Sequence, residues 1–223
     1  MHILKNLFIV VFLSFLFSIK GEAQTTEQSD FSGLKKCTVF SAGDDNVNSY
    51  RIPSLLTTKD GTLLVFCEAR RDSWRDKSRT DIVVKRSEDT GKTWSVMQDL
   101  TQGITGAYMD PTPILDSITG RIFLFTTFWP SEDHSGTKNR AILITSDDNG
   151  KTWSSPVDVT STIIPAGYHI VGFGPGAGLQ MSGKQFKERL VLPTRVVDSE
   201  RKSAHNVAIY SDNHGRTWTM GGK

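Results

Sequence analysis

Apolar residues along this chain gather in short runs separated by polar turns. The runs Thr62–Glu68, Asp81–Arg86, Arg121–Phe128, Ala141–Thr145, Arg189–Thr194 and Asn206–Tyr210 are β-branched, aromatic or Leu-rich, a composition that suits a pleated, packed strand. Turn residues bound them, including Lys59-Asp60-Gly61 and Thr119-Gly120. Past the N-terminal apolar run, no window sustains the period of an amphipathic helix. The pattern predicts an all-β chain without a low-complexity linker or a second domain.

Between these runs one segment recurs. Ser87-Glu88-Asp89-Thr90-Gly91-Lys92-Thr93-Trp94 returns as Ser146-Asp147-Asp148-Asn149-Gly150-Lys151-Thr152-Trp153 and as Ser211-Asp212-Asn213-His214-Gly215-Arg216-Thr217-Trp218. The starts at 87, 146 and 211 are 59 and 65 residues apart. That is longer than the about 40–45 residues of a typical four-stranded propeller blade and too long for a helical solenoid unit. Each copy reads as a hairpin turn. Gly91, Gly150 and Gly215 supply positive φ, the carboxylates of Asp89 and Asp148 accept backbone N–H groups, and the Ser and Thr hydroxyls close the turn. Asn213 keeps the acceptor and loses the charge. The Trp of each copy is expected to start the next strand and to pack one unit on another. These boxes are structural and carry no substrate contact.

The first residues read as a secretory signal over residues 1–23, with Lys5, an apolar run from Leu7 to Ile19, and Gly21 and Ala23 before a cut. The run is short for a bilayer span, so the mature chain is expected to begin near Gln24, secreted or periplasmic, without a membrane anchor. In such a compartment Cys37 and Cys67 either form a bridge or remain ordinary core residues. A net charge of +2 gives no footprint for nucleic acid. No Cys or His pair has metal-ligand spacing, and no cofactor motif is present. The glycine-rich stretch Val171 to Gly178 lacks the Lys-Ser/Thr ending of a phosphate loop and predicts a close backbone approach between units.

The chemistry-bearing residues lie ahead of and between the boxes. Tyr50-Arg51-Ile52-Pro53, an Arg70 followed six positions later by Asp76, and the step Met109-Asp110-Pro111 occur in that order. Together with the boxes they resemble the secreted bacterial sialidases, from about Tyr50 to the last residue. The resemblance implies a six-bladed β-propeller, of which about three blades are present in what looks like an N-terminal part. It also implies retaining hydrolysis of terminal sialic acids from glycans. Arg51 would be one of three arginines gripping the sialic acid carboxylate, a role suited to the planar guanidinium fork. Arg70 and Asp110 would face the ring hydroxyl and amide side. Met109 and Trp129 would line the acetamido pocket, and Asp76 would be the acid/base. The family's nucleophile is a Tyr activated by a Glu; neither it nor the other two arginines has a match here.

Other readings of the same residues stay open. Arg51 also fits a strand-edge ion pair, Met109 and Trp129 also fit a core, and Asp72 and Asp81 compete with Asp76. The cationic neighbours Arg75, Lys77 and Arg79 suit a salt-bridged carboxylate as well as an acid. At the level of function, the alternatives are a trans-sialidase and a non-catalytic box-repeat propeller that binds a glycan or a protein.

Overall fold

The computed structural model describes residues 36–102 and 105–221; the leader predicted over residues 1–23 lies outside them. The chain is all-β and builds three blades in succession. The first holds β1 (Ser49–Thr57), β2 (Leu63–Arg70), β3 (Thr80–Ser87) and β4 (Gln98–Asp99), each antiparallel to the one before. The second repeats the order with β5 (Gly106–Leu115), β6 (Ile122–Pro130), β7 (Arg140–Ser146) and β8 (Val157–Asp158). In the third, β9 (Tyr168–Phe173) pairs with β11 (Leu190–Asp198), followed by β12 (Ala204–Ser211) and β13 (Thr219–Met220), while β10 (Leu179–Gln180) also pairs with β11. A single turn of helix, α1 (Thr160–Ile163), leads into the third blade.

All six predicted runs are strands, and each is the second or third of its blade. The first strands, β1, β5 and β9, were not legible as runs. Pro53 and Pro111 interrupt two of them, and proline cannot donate to a ladder. The structure accommodates each with a bulge: register shifts fall between Arg51 and Ser54 and between Met109 and Thr112. The residue before each proline takes positive φ, 52° at Ile52 and 59° at Asp110. For β-branched Ile52 that conformation is unusual.

Blade packing explains the continuous apolar reading of β6. Ile122 and Leu124 enter one cluster with Leu64, Phe66, Ile82 and Val84 of the first blade. Their neighbours Phe123 and Phe125 point the other way, into a cluster with Ile170, Phe173, Leu192 and Ile209 of the third. Alternate side chains of one strand thus meet different blades.

The three boxes connect the third and fourth strands of their blades. Ser87 Oγ accepts from Gly91 N at 2.8 Å and donates to Asp89 Oδ1 at 2.8 Å. Asp89 also accepts from the backbone N–H groups of Lys92 and Thr93 and from the Thr93 hydroxyl. Gly91, Gly150 and Gly215 have φ of 84°, 75° and 77°. In the third copy Asn213 Oδ1 accepts from Thr217 N at 2.9 Å, while its Nδ2 donates to Thr217 Oγ1 at 2.8 Å. The hydroxyl changes from donor to acceptor and the turn survives. Trp94, Trp153 and Trp218 do not start strands; they end the turns, and Trp153 and Trp218 lie edge-on against the preceding blade. Trp153 meets Phe66 at 5.6 Å, and Trp218 meets Phe125 at 4.9 Å.

Candidate active site

Arg51 stands on β1 opposite Glu68 of β2, beside the bulge. Its carbonyl accepts from the Cys67 thiol at 3.0 Å. Cys67 is buried and free, as is exposed Cys37, so no bridge joins them. Burial, together with the Glu68 charge, pushes the Cys67 thiol up to about 12.

Glu68 and Arg70 are two residues apart on β2 and share a face. Arg70 Nε and Nη2 donate to Glu68 Oε2 at 3.0 and 2.7 Å, and Nη1 donates to the Trp74 carbonyl at 2.7 Å. Neither side chain is more than 1% exposed. A buried guanidinium without such a carboxylate would be strongly unfavourable. Sequence reasoning assigned no role to Glu68; its signal was the i, i+2 spacing to Arg70.

The loop after β2 brings Asp76 to this pair. Asp76 Oδ1 lies 2.8 Å from Arg70 Nη2 and 3.4 Å from Arg51 Nη1. The competing carboxylates lie with other cations: Asp72 with Arg79 at 3.1 Å, and Asp81 with Arg71 at 2.7 Å. Asp76 is 66% exposed, so its carboxylate is open to solvent above a buried base.

The second blade contributes Asp110. Its backbone N–H donates to Glu68 Oε1 at 3.0 Å. Burial, reinforced by the charges of Glu68 and Asp76 and offset by Arg70, pushes its carboxyl up to about 6. Gly172 of the third blade faces it closely: a Cβ there would sit 3.0 Å from Asp110 Oδ2. The predicted close approach of the glycine-rich stretch continues along β5. Gly178 N donates to the Pro113 carbonyl at 2.9 Å, and Ser54 of the first blade donates to the Gly176 carbonyl at 2.8 Å.

Met109 is 9% exposed and lies in the wall of β5. Trp129 on β6 carries the Lys77 ammonium 4.1 Å above its ring, which ties it to the loop of Asp76. The structure therefore gathers Arg51, Arg70, Asp76 and Asp110 around one hub, Glu68, and brings Trp129 to the loop through Lys77. Clefts of about 340, 460 and 420 Å³ lie elsewhere on the blades and include none of these residues. Chemically, the cluster presents a half-exposed guanidinium, an exposed carboxylate and a carboxyl that holds its proton to near-neutral pH. That set suits an anionic, hydroxylated ligand.

The profile of the BNR repeat-like domain matches residues 52–223. The chain belongs to the sialidase family with BNR-type repeats. It is 32% identical over 209 residues to a sialidase of Paraclostridium sordellii, covering 85% of this chain and 50% of that protein. A Bacteroides fragilis sialidase is also 32% identical, with 80% of this chain and 36% of the relative covered. The chain thus spans half or less of the length of these relatives. Among solved structures, the Hadza microbial sialidase Hz136 superposes with a TM-score of 0.72 at 30% identity, covering 80% of this chain and 38% of that one. A leech intramolecular trans-sialidase superposes at 0.71 with 21% identity, covering 84% of this chain and 45% of that one; that likeness concerns the fold, which is of the sialidase propeller type.

Proposed function

We propose that this chain supplies the acid/base and part of the sugar-binding surface of an exo-α-sialidase that removes terminal sialic acids from glycoconjugates with retention. The observation that carries the reading is the shared position of Asp76 between Arg51 and Arg70. Arg51 is half-exposed and holds Asp76 only at 3.4 Å, so a substrate carboxylate can take its place by a bidentate contact. That exchange frees Asp76 from one cation as substrate arrives. Released from that cation and open to solvent, Asp76 takes up a proton from water, donates it to the glycosidic oxygen and later recovers one from the attacking water.

Arg70 is held by Glu68 and anchors Asp76 at the floor. Asp110, protonated below about pH 6, adds no repulsion to an anionic sugar there and offers a donor to a ring hydroxyl. Met109 and Trp129 are assigned to the acetamido side. A neutral Tyr nucleophile, the family's device, suits an anionic substrate better than a carboxylate; no residue of this chain is assigned to it. The N-terminal apolar run supports export of the protein to the periplasm or beyond.

The test is Asp76→Asn, assayed on a sialoside with a poor leaving group alongside circular dichroism. Loss of at least a hundredfold in kcat with unchanged folding is expected, in line with the about 10²–10⁴-fold supplied by a positioned acid. Unchanged turnover removes Asp76 from that role.

A further inference from the structure

The loop that carries Asp76 also carries Trp74, a residue that is 66% exposed. Its exposure is not a consequence of a slack loop. The Trp74 carbonyl is held by Arg70 Nη1 at 2.7 Å. The Ser78 hydroxyl donates to the carbonyls of Ser73 and Arg75 at 3.1 and 2.9 Å, and Arg71 N donates to the Arg79 carbonyl at 2.9 Å. At the far end Lys77 sits over Trp129. Both ends and the middle of the loop are therefore fixed, with a large apolar ring left facing water two residues from the acid/base.

We propose that Trp74 is the stacking platform for the first sugar of the leaving group. This rests on the reading of Asp76 as the acid, because the group that receives its proton is the glycosidic oxygen, and the leaving sugar begins at that atom. A pyranose offers an apolar C–H face, and an indole stacks on such a face with little entropic cost, having two side-chain torsions. The main chain of Trp74 and the carboxylate of Asp76 are both anchored on the same guanidinium, Arg70. The platform and the proton donor are thus held in one frame, and the occupant is the uncharged pyranose attached to the sialic acid.

The experiment compares the purified chain with Trp74→Ala and Trp74→Phe on two substrates whose leaving groups are both alkoxides, methyl α-sialoside and sialyllactose. The alanine variant is expected to lose about tenfold or more in kcat/KM for sialyllactose relative to methyl sialoside, chiefly through KM, and the phenylalanine variant to regain most of it. Equal losses on both substrates, or no loss on either, overturn the platform. Cleavage of neither substrate by the unmodified chain is what a chain with no residue assigned to the nucleophile would give, and it leaves the acid/base reading to be judged by the Asp76→Asn comparison. The platform is then decided by saturation-transfer NMR with sialyllactose. Signals on the galactose ring protons that vanish in Trp74→Ala uphold it, and their absence from the unmodified chain overturns it.

Discussion

The backbone N–H of Asp110 lies 3.0 Å from Glu68 Oε1, while Oε2 of the same carboxylate holds the Arg70 guanidinium. One fully buried carboxylate thus joins the end of β2 in the first blade to the bulge of β5 in the second. It fixes the distance between the floor of Asp76 and the carboxyl of Asp110 without itself facing the ligand.

Truncating that hub has a defined cost. Glu68→Ala leaves the buried guanidinium with only Asp76 and the Trp74 carbonyl and strands the Asp110 amide, so a loss of about 3 kcal/mol is expected in urea denaturation. Replacing both partners, as Glu68→Leu with Arg70→Met, should recover a substantial part of it. A single-mutant loss below about 1 kcal/mol would mean that water reaches Arg70 and compensates it.

Asp110 gives a pH signature. Its carboxyl rises from an ordinary 3.8 to about 6 in the fold, chiefly because it is buried. With the folded value above the unfolded one, the charge carries no penalty below about pH 3.8; the penalty grows between there and 6 and is constant above. Asp110→Asn is therefore expected to stabilise the protein by about 3 kcal/mol at pH 7.5 and hardly at all at pH 3.5. Asn also tolerates the left-handed backbone of the bulge. Thermal melts of both proteins across this range are the check, and a pH-independent difference would point to packing in place of charge.

The boxes respond in the opposite sense. Hydrogen bonds from Thr93 and Ser87 hold Asp89 down to about 2, and Asp148, despite some burial acting upward, is held there by the equivalent Thr152 and Ser146. Their contribution is complete above about pH 3.8 and disappears as the pH falls through 2. Asp148→Ala should lower the melting temperature clearly at pH 7, and Asp148→Asn much less, because Asn213 already closes the third turn as an amide. Equal losses in the two variants would show that charge, and not acceptor geometry, holds the turn.

The architecture was largely legible in the sequence because its causes are local. Glycine in a box turn needs no partner to adopt positive φ, and a strand buried on both sides must be apolar throughout, as Ile122 to Phe125 are. Six strands and three turns followed from such rules. The first strands β1 and β5 did not, since Pro53 and Pro111 are compatible with pairing only through bulges that neighbouring strands impose.

For the candidate site, the residues were visible and their relationships were not. Sequence order names Arg51, Arg70, Asp76 and Asp110, and cannot say that the Asp76 carboxylate lies between two guanidinium groups while Asp72 and Asp81 lie with other cations. Glu68 went unassigned because its one signal along the chain, Arg70 two positions on, does not tell a buried pair from an exposed one; its meaning comes from an amide 42 positions away. Turns and strands follow from short-range sterics and hydrogen bonds, which the local sequence determines. Burial and charge proximity depend on which blades meet, and only the tertiary structure decides that.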